Sequence, residues 1–424
     1  MNKRIAAVTA TACMLFASVM IPAVSAEGTT DIGAQNQVKA VAYSDALDKL
    51  DYKGIRVGGL SGLTWDKTAD SYVAQSDNHG SDESRVWFLG KDLHNPSITR
   101  DPVTFTDVNG TPYNGNTTDN EGIAVLPDGD FAISSEGIPP AGRNQAEHPT
   151  IRIFDTNGRQ KGELEVPQLF DINTPKGQAS HNLTLEGLSL SPTGHELVSA
   201  MEGTLKSDVY QNRSDARRFL VYRDDVTGKA GQWTLVKQVG FHTVPGLDIS
   251  DIVLDSEDSL YVLQRSWNSE TGNKVALSYV SGLNSAPDVS GVANLNDPKN
   301  ASEFVKSRQI GELDKLPDLG ASAKPGAHQA NPLMDNYEGL VITNLDQLAD
   351  ASWHRGDGEY KAAISIISDD NYSATQTTRI LDVEAEPFRK TAAGFDDSAS
   401  GRLSQYVTAL GRNDRLDYWS ANGF

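Results

Sequence analysis

The chain has 424 residues, with 57 Asp+Glu against 37 Lys+Arg, a formal charge of -20, a hydrophobic share of 38% and one Cys. That length supplies a sizeable core for one large domain or for two to three ordinary ones. So large an acidic excess leaves no surplus of cations to release counterions from phosphates, which argues against nucleic acid as a partner, and one thiol excludes disulfides and Cys-based metal sites.

Residues 1–26 have the pattern of a signal peptide: Lys3 and Arg4, an apolar run from Ile5 to about Val24, and the small-residue site Val24-Ser25-Ala26. Cleavage there would remove the only Cys and both early cations, taking the charge from -20 to -22. No later apolar stretch is long enough to cross a bilayer. The expectation is a secreted or periplasmic protein without membrane insertion, a single domain over residues 27–424.

From Gly58 onward one pattern recurs. An apolar segment opens beside Gly, turns, and returns in a second β-rich segment that ends in acidic or polar residues. Its copies are GGLSGLTWDKTADSYVAQSDN from Gly58, DNEGIAVLPDGDFAISSEG from Asp119 and LTLEGLSLSPTGHELVSAMEG from Leu183, then LDISDIVLDSEDSLYVLQR from Leu247 and NYEGLVITN from Asn336. The last resumes at KAAISIISDDN after an insertion. Ser61, Glu121, Glu186, Ser250 and Glu338 hold the opening position, in steps of 60, 65, 64 and 88 residues, and Asp77, Glu136, Glu202, Arg265 and Asp370 close the second segments.

Further strand-like segments follow, such as Arg85–Leu89, Ile151–Phe154 and Arg218–Tyr222, rich in β-branched and aromatic residues. Pro127-Asp128-Gly129-Asp130 and Pro192-Thr193-Gly194 mark turns. Three or four strands per unit of about 60 residues predict an all-β chain folded as a β-propeller, with five blades favoured over six. A sixth would have to come from residues 282–335 or the C-terminus, and a sandwich or two small barrels are the competing architectures. Val38–Tyr43 is the candidate strand for closing the ring. Residues 282–335 and 344–358 break the regularity as loop insertions.

Equivalent openers on innermost strands converge on one channel mouth. The expected ring therefore contains Glu121, Glu186 and Glu338, joined by Asp119, Asn120, Asp251 and Asn336 and by the segment ends Asp77, Asn78, Glu136, Glu202 and Asp370. Two carboxylates about 8 Å apart at an effective dielectric of about 20 repel by roughly 2 kcal/mol, so such a ring needs either protons or a cation. Hard oxygen donors without thiolates point to calcium, with magnesium or manganese behind it. The metal candidates are Glu121, Glu186, Glu338, Glu136 and Asp251. The competing role for any one of them is to accept backbone N–H groups and pin neighbouring blades together. Arg265, Arg143, His181 and Lys206 are the cations placed to meet a substrate anion. There is no GxSxG elbow, P-loop or HExxH arrangement.

These motifs resemble the phytase-like family of exported bacterial proteins, "esterase-like activity of phytase". The resemblance runs over about residues 55–385. It rests on Gly59-Leu60-Ser61-Gly62-Leu63 with Ser76-Asp77-Asn78, Asn120-Glu121-Gly122-Ile123 with Ser135-Glu136-Gly137, and Leu185-Glu186-Gly187-Leu188 with Met201-Glu202. It continues in Ile249-Ser250-Asp251-Ile252 with Leu263-Gln264-Arg265, and in Asp335-Asn336-Tyr337-Glu338-Gly339-Leu340 with Ser368-Asp369-Asp370-Asn371. Gln264 departs from it, standing where relatives tend to carry Glu, which would remove a charged donor from the fourth unit. The resemblance implies hydrolysis of a small-molecule phosphoester, with Asp77, Glu202, Arg265 and Asp370 in catalytic positions: carboxylates as ligands or general base, and Arg265 as stabiliser of phosphoryl charge. A metal-dependent lactonase or carboxylesterase is the alternative enzyme, and a secreted binding propeller the alternative without catalysis.

Overall fold

A strand buried on both faces needs apolar residues at nearly every position, and the inner strands of the repeat have that composition. The computed structural model describes residues 37–140, 146–224, 232–345 and 361–385, with two further short strands at Lys390–Thr391 and Gly394–Phe395. The leader expected at residues 1–26 and Arg143 lie outside the described residues, as does most of the insertion at 344–358.

The chain starts with strand β1 (Val38–Ser44) and a small hairpin, β2 (Asp51–Tyr52) and β3 (Ile55–Arg56). Blade one follows as β4 (Leu60–Asp66), β5 (Ser71–Ser76), β6 (Arg85–Leu89) and β7 (Ile98–Thr104). Blade two is β8 (Asn120–Val125), β9 (Phe131–Ser135), β10 (Thr150–Phe154) and β11 (Gln160–Glu163). Blade three is β12 (Leu185–Leu190), β13 (Glu196–Met201), β14 (Ala216–Arg223) and β15 (Thr234–His242). Blade four is β16 (Asp248–Ser256), β17 (Ser259–Asn268), β18 (Gly272–Ser281) and β19 (Lys306–Glu312). Blade five has only three strands of its own, β20 (Asn336–Ile342), β21 (Ala362–Asp369) and β22 (Ile380–Ala385), and β1 completes it in the order β1-β22-β21-β20. The antiparallel register runs from Val38 opposite Ala385 to Ser44 opposite Ile380.

The ring is thus a five-bladed β-propeller closed by its N-terminal strand. Adjacent inner strands touch around the whole circle, β4 to β8, β12, β16, β20 and back to β4. Residues 282–335 hide no sixth blade. They supply β19 and wrap blade three, where Arg218 binds Asp208 and the carbonyls of Val289 and Val292. Gly129 and Gly194 adopt φ of 89° and 81° in the two predicted turns.

Because strand side chains alternate between faces, each blade packs on both neighbours. Val73 meets Ile123, Phe131 and Ile133 of blade two, while Tyr72 and Ala74 meet Val341 and Ile367 of blade five. The same division repeats at the other interfaces, giving five apolar layers between blades and leaving the axis to polar residues. Among the described residues no helix is long and apolar enough to cross a membrane.

Candidate functional site: a carboxylate ring at the channel mouth

Every inner strand breaks register at the same place. The ladder slips between Leu60 and Gly62, Asn120 and Ile123, Leu185 and Leu188, Ile249 and Asp251, and Tyr337 and Gly339. Ser61, Glu121, Glu186, Ser250 and Glu338 all fall within these bulges, which re-aim a side chain away from the regular pleat. The glycine after the opener has a local cause. A Cβ on Gly122 would lie 2.4 Å from the Glu186 carbonyl oxygen of the next blade, and one on Gly62 would lie 2.8 Å from that of Glu121. Blade four has Asp251 in that place. Its carboxylate accepts the amides of Ile252 at 2.8 Å and Leu340 at 2.9 Å, and that of Leu188, so it ties blades three, four and five together.

The second strands end at the same level. Ser76, Ser135, Met201, Gln264 and Ser368 pair with the inner strands, and the next residues, Asp77, Glu136, Glu202, Arg265 and Asp369, enter the mouth. Two expectations change here. The position equivalent to Asp77 in blade five is Asp369, one residue before Asp370. Gln264 is not a lost ligand: its side chain is fully buried sideways, donating to Ser278 Oγ at 2.8 Å and accepting from Val244 N at 2.7 Å.

Asp77, Asp119 and Glu121 bring carboxylate oxygens within 4.8 Å of one another, as do Glu136, Glu186 and Glu202. Burial pushes the carboxyl groups of Asp77, Glu121, Glu136, Glu186 and Asp369 well above their ordinary range, and the neighbouring carboxylates push the same way, while Arg265 pulls Glu186 and Asp369 back. Burial takes Glu202 up to about 8 against the opposing charge of Arg265. Burial would lower the pKa of Arg265, but Glu338, Glu202, Glu186 and Glu121 raise it, so it stays cationic. Its guanidinium pairs with Glu338, which also receives Asn336 Nδ2 at 2.8 Å. With Glu338 and Asp369 the mouth holds eight carboxylates and one guanidinium, a formal charge of -7 if all are ionised.

Two oxygens in this set, Asp77 Oδ1 and Glu202 Oε2, are buried without any hydrogen-bond partner, as are Ser61 Oγ and Ser250 Oγ. An unpaired buried carboxylate oxygen is costly, and a cation would satisfy it.

Asp370 sits beside this ring in a different role. Lys49 donates to Oδ2, Arg56 does so at 2.9 Å, and the amides of Gly59 and Tyr372 reach Oδ1 at 3.0 and 3.1 Å. Burial alone would raise its pKa, but these donors hold it below the ordinary value. Lys206 is tied to the Ala179 carbonyl at 2.9 Å, and His181 is exposed on a turn. Sequence spacing missed Asp369 because two acids are adjacent. The Ser-acid pair in Ser76-Asp77, Ser135-Glu136 and Ser368-Asp369 was the signal that separates them.

Residues 55–372 match the phytase-like family, described as esterase-like activity of phytase. The chain belongs to that family. No curated protein matches. This phytase-like chain is similar to several solved structures at low identity. An endo-arabinase from Bacteroides thetaiotaomicron is 12% identical over 77% of this chain and 93% of its own, with a TM-score of 0.36. A protein of unknown function from Dyadobacter fermentans is 10% identical over 82% and 99%, with a TM-score of 0.38. A gluconolactonase from Xanthomonas campestris is 9% identical over 82% and 97%, with a TM-score of 0.32. At that level the likeness carries no argument. Family membership makes ester hydrolysis by a propeller the coarse description of the activity.

Proposed function

We propose that the protein is an exported, divalent-metal-dependent phosphoester hydrolase that works at the carboxylate ring on small-molecule substrates, with calcium as its metal. The observation that carries this reading is the ring itself: buried carboxylates gathered in two sets within 4.8 Å, each set containing an oxygen with no partner. An all-oxygen donor list suits a hard divalent cation, with calcium ahead of magnesium or manganese.

Asp77, Asp119, Glu121, Glu136, Glu186 and Glu202 would hold metal. When bound, a divalent ion neutralises carboxylate charge, polarises phosphoryl oxygens and acidifies water. The protein's own residues do the rest. The bulges fix the carboxylates before substrate arrives, so little reorganisation is left for the reaction. Arg265, the cation within the ring, is held by Glu338 and would stabilise the phosphoryl charge that develops there. The oxygens of Asp370 are taken by Lys49, Arg56 and two amides, so its part is to position two cations at the rim.

Metal analysis of purified protein, and hydrolysis of aryl phosphate, aryl acetate and lactone with and without chelator, test the reading. The expected result is bound calcium, chelator-sensitive phosphate release and its loss in Glu121→Gln. Preference for acetate or lactone would move the substrate class. Protein without metal, whose phosphatase activity is untouched by chelator and by Glu121→Gln, would end the proposal.

A further inference from the structure

We infer that Trp267, on a hairpin of blade four that rises past Arg265, is a stacking platform for the leaving group, so that the substrate is a phosphate ester of a ring-bearing alcohol or phenol. This rests on the reading of the mouth as a phosphoester site and goes beyond it in naming the organic half of the substrate.

Blade four departs from the others at the mouth. The second strands of the other blades end at Ser76, Ser135, Met201 and Asp369, within one residue of the ring, whereas β17 runs three residues past Arg265, to Asn268. It pairs with β18 without a register break from Ser259 opposite Ser281 to Asn268 opposite Gly272, so its side chains alternate faces along the whole hairpin. Tyr261 and Leu263 fill the apolar layer between blades four and five. Arg265 continues that face into the mouth, where it pairs with Glu338 of blade five. Trp267 continues it one step farther, about 7 Å beyond Arg265 along the strand.

Among the described residues Trp267 is the largest exposed apolar side chain, 58% exposed, while Trp87 is fully buried with its Nε1 donating to Ser76 Oγ at 2.9 Å. Single exposed apolar residues are common, but this one sits on a braced hairpin in line with the cation of the ring. Asn268 Oδ1 closes the tip by accepting the amides of Glu270 at 3.0 Å and Thr271 at 2.9 Å. Residues 328–330 then hold it: Ala330 N donates to the Thr271 carbonyl at 2.8 Å, and Asn273 N donates to Gln329 Oε1 at 2.9 Å. A Cβ on Gly272, whose φ is 76°, would lie 2.0 Å from the His328 carbonyl oxygen. The indole is therefore presented by backbone already fixed. Opposite Trp267 in the ladder, Asn273 is 5% exposed and its Oδ1 is buried without a hydrogen-bond partner, so an acceptor stands unused beside the aromatic surface.

A phosphoryl group at Arg265 would leave the ester oxygen and its substituent on the open side of the mouth. A flat ring joined to that oxygen can then lie on the indole at the centroid spacing of about 4.5–7 Å that aromatic pairs prefer. A polyphosphorylated polyol fits less well, because its further phosphates would need cations there. Around Trp267 the hairpin offers Ser266, Asn268, Glu270 and Thr271, and Lys274, opposite Ser266, belongs to the other face.

Calorimetric binding of phenylphosphonate and methylphosphonate, which are not hydrolysed, to the calcium-loaded full chain tests this, together with kcat and KM for phenyl phosphate and glycerol 2-phosphate. Phenylphosphonate is expected to bind about tenfold tighter than methylphosphonate. Trp267→Ala should bring the two within about twofold, and Trp267→Phe should keep most of the difference. In Trp267→Ala the loss should fall in KM, about tenfold for phenyl phosphate against about twofold or less for glycerol 2-phosphate. An unaltered preference for the phenyl ligand in Trp267→Ala, or an equal loss for both phosphonates, overturns the inference, and continued phosphate release would leave the phosphoester reading in place. If neither phosphonate binds and phenyl acetate is hydrolysed instead, the phosphoester reading ends, and the same Trp267→Ala comparison between phenyl and ethyl acetate decides the platform. No binding and no turnover of any of these esters ends both.

Discussion

Stripping the cation and raising the pH should destabilise the protein, and Glu202 sets the scale. Its carboxyl titrates at 4.5 when unperturbed and at about 8 in the folded, metal-free chain, because burial outweighs the help of Arg265. Between those values the folded state holds a proton that the unfolded state has released. The contribution is therefore fully present below pH 4.5 and is lost as the pH rises through 8. At 1.36 kcal/mol per pKa unit the gap is worth about 5 kcal/mol, comparable with the whole stability of a marginal domain. Asp77, Glu121, Glu136, Glu186 and Asp369 are displaced in the same direction. Urea unfolding of chelated protein at pH 5, 7 and 9 should show falling stability. Glu202→Gln should remove several kcal/mol of that fall, and saturating calcium should flatten it by binding the folded state. Chelated protein whose stability is flat or rises from pH 5 to 9, with Glu202→Gln following the same curve, would refute the reasoning.

Other expectations follow from the frame around the ring. Gly122→Ala places a Cβ 2.4 Å from the Glu186 carbonyl, which should cost about 1–3 kcal/mol by overpacking and weaken calcium binding at Glu186 in a titration. Asp251→Ala leaves the buried amides of Ile252 and Leu340 without an acceptor. A loss of about 2–5 kcal/mol in urea unfolding is expected, with calcium stoichiometry unchanged, because this carboxylate serves the blades and not the ion. Asp370→Asn weakens the hold on Lys49 and Arg56. With its pKa held below the ordinary value, Asp370 contributes stability above the unfolded carboxylate pKa that is lost as the pH falls through the folded one. The variant should therefore flatten the acid side of the stability profile measured between pH 2 and 5.

The blade count and the inner-strand carboxylates were legible because one physical event repeats: a bulge aims the opener inward, and the next residue must be small enough for the neighbouring blade to touch its backbone. Those demands leave Glu-Gly in three of the five units. Blade four evades the second demand by bonding across the gap with Asp251, so its opener is recognisable only by spacing. The closing positions were harder. Alternation decides whether a side chain faces the channel or the next blade, and an error of one residue exchanges the two. That is why Asp369 was passed over for Asp370, and why Gln264 looked like a missing ligand when it faces a loop. Residues 282–335 show no repeat, since their work is to cover blade three and supply an outer strand, neither of which requires a carboxylate.

The pairing of Val38 with Ala385 also bears on how the molecule is made. The strand that leaves the ribosome early has no partner until the last blade has been synthesised, so for most of that interval the growing sheet stack has two raw edges. Closure then joins segments separated by nearly the whole domain, which places the slow, non-local step at the end of folding and makes unclosed chains prone to pair with one another. Five blades without a disulfide are held shut by that one late seam, and a cation bound across blades one to three would fasten only the part of the circle that forms first.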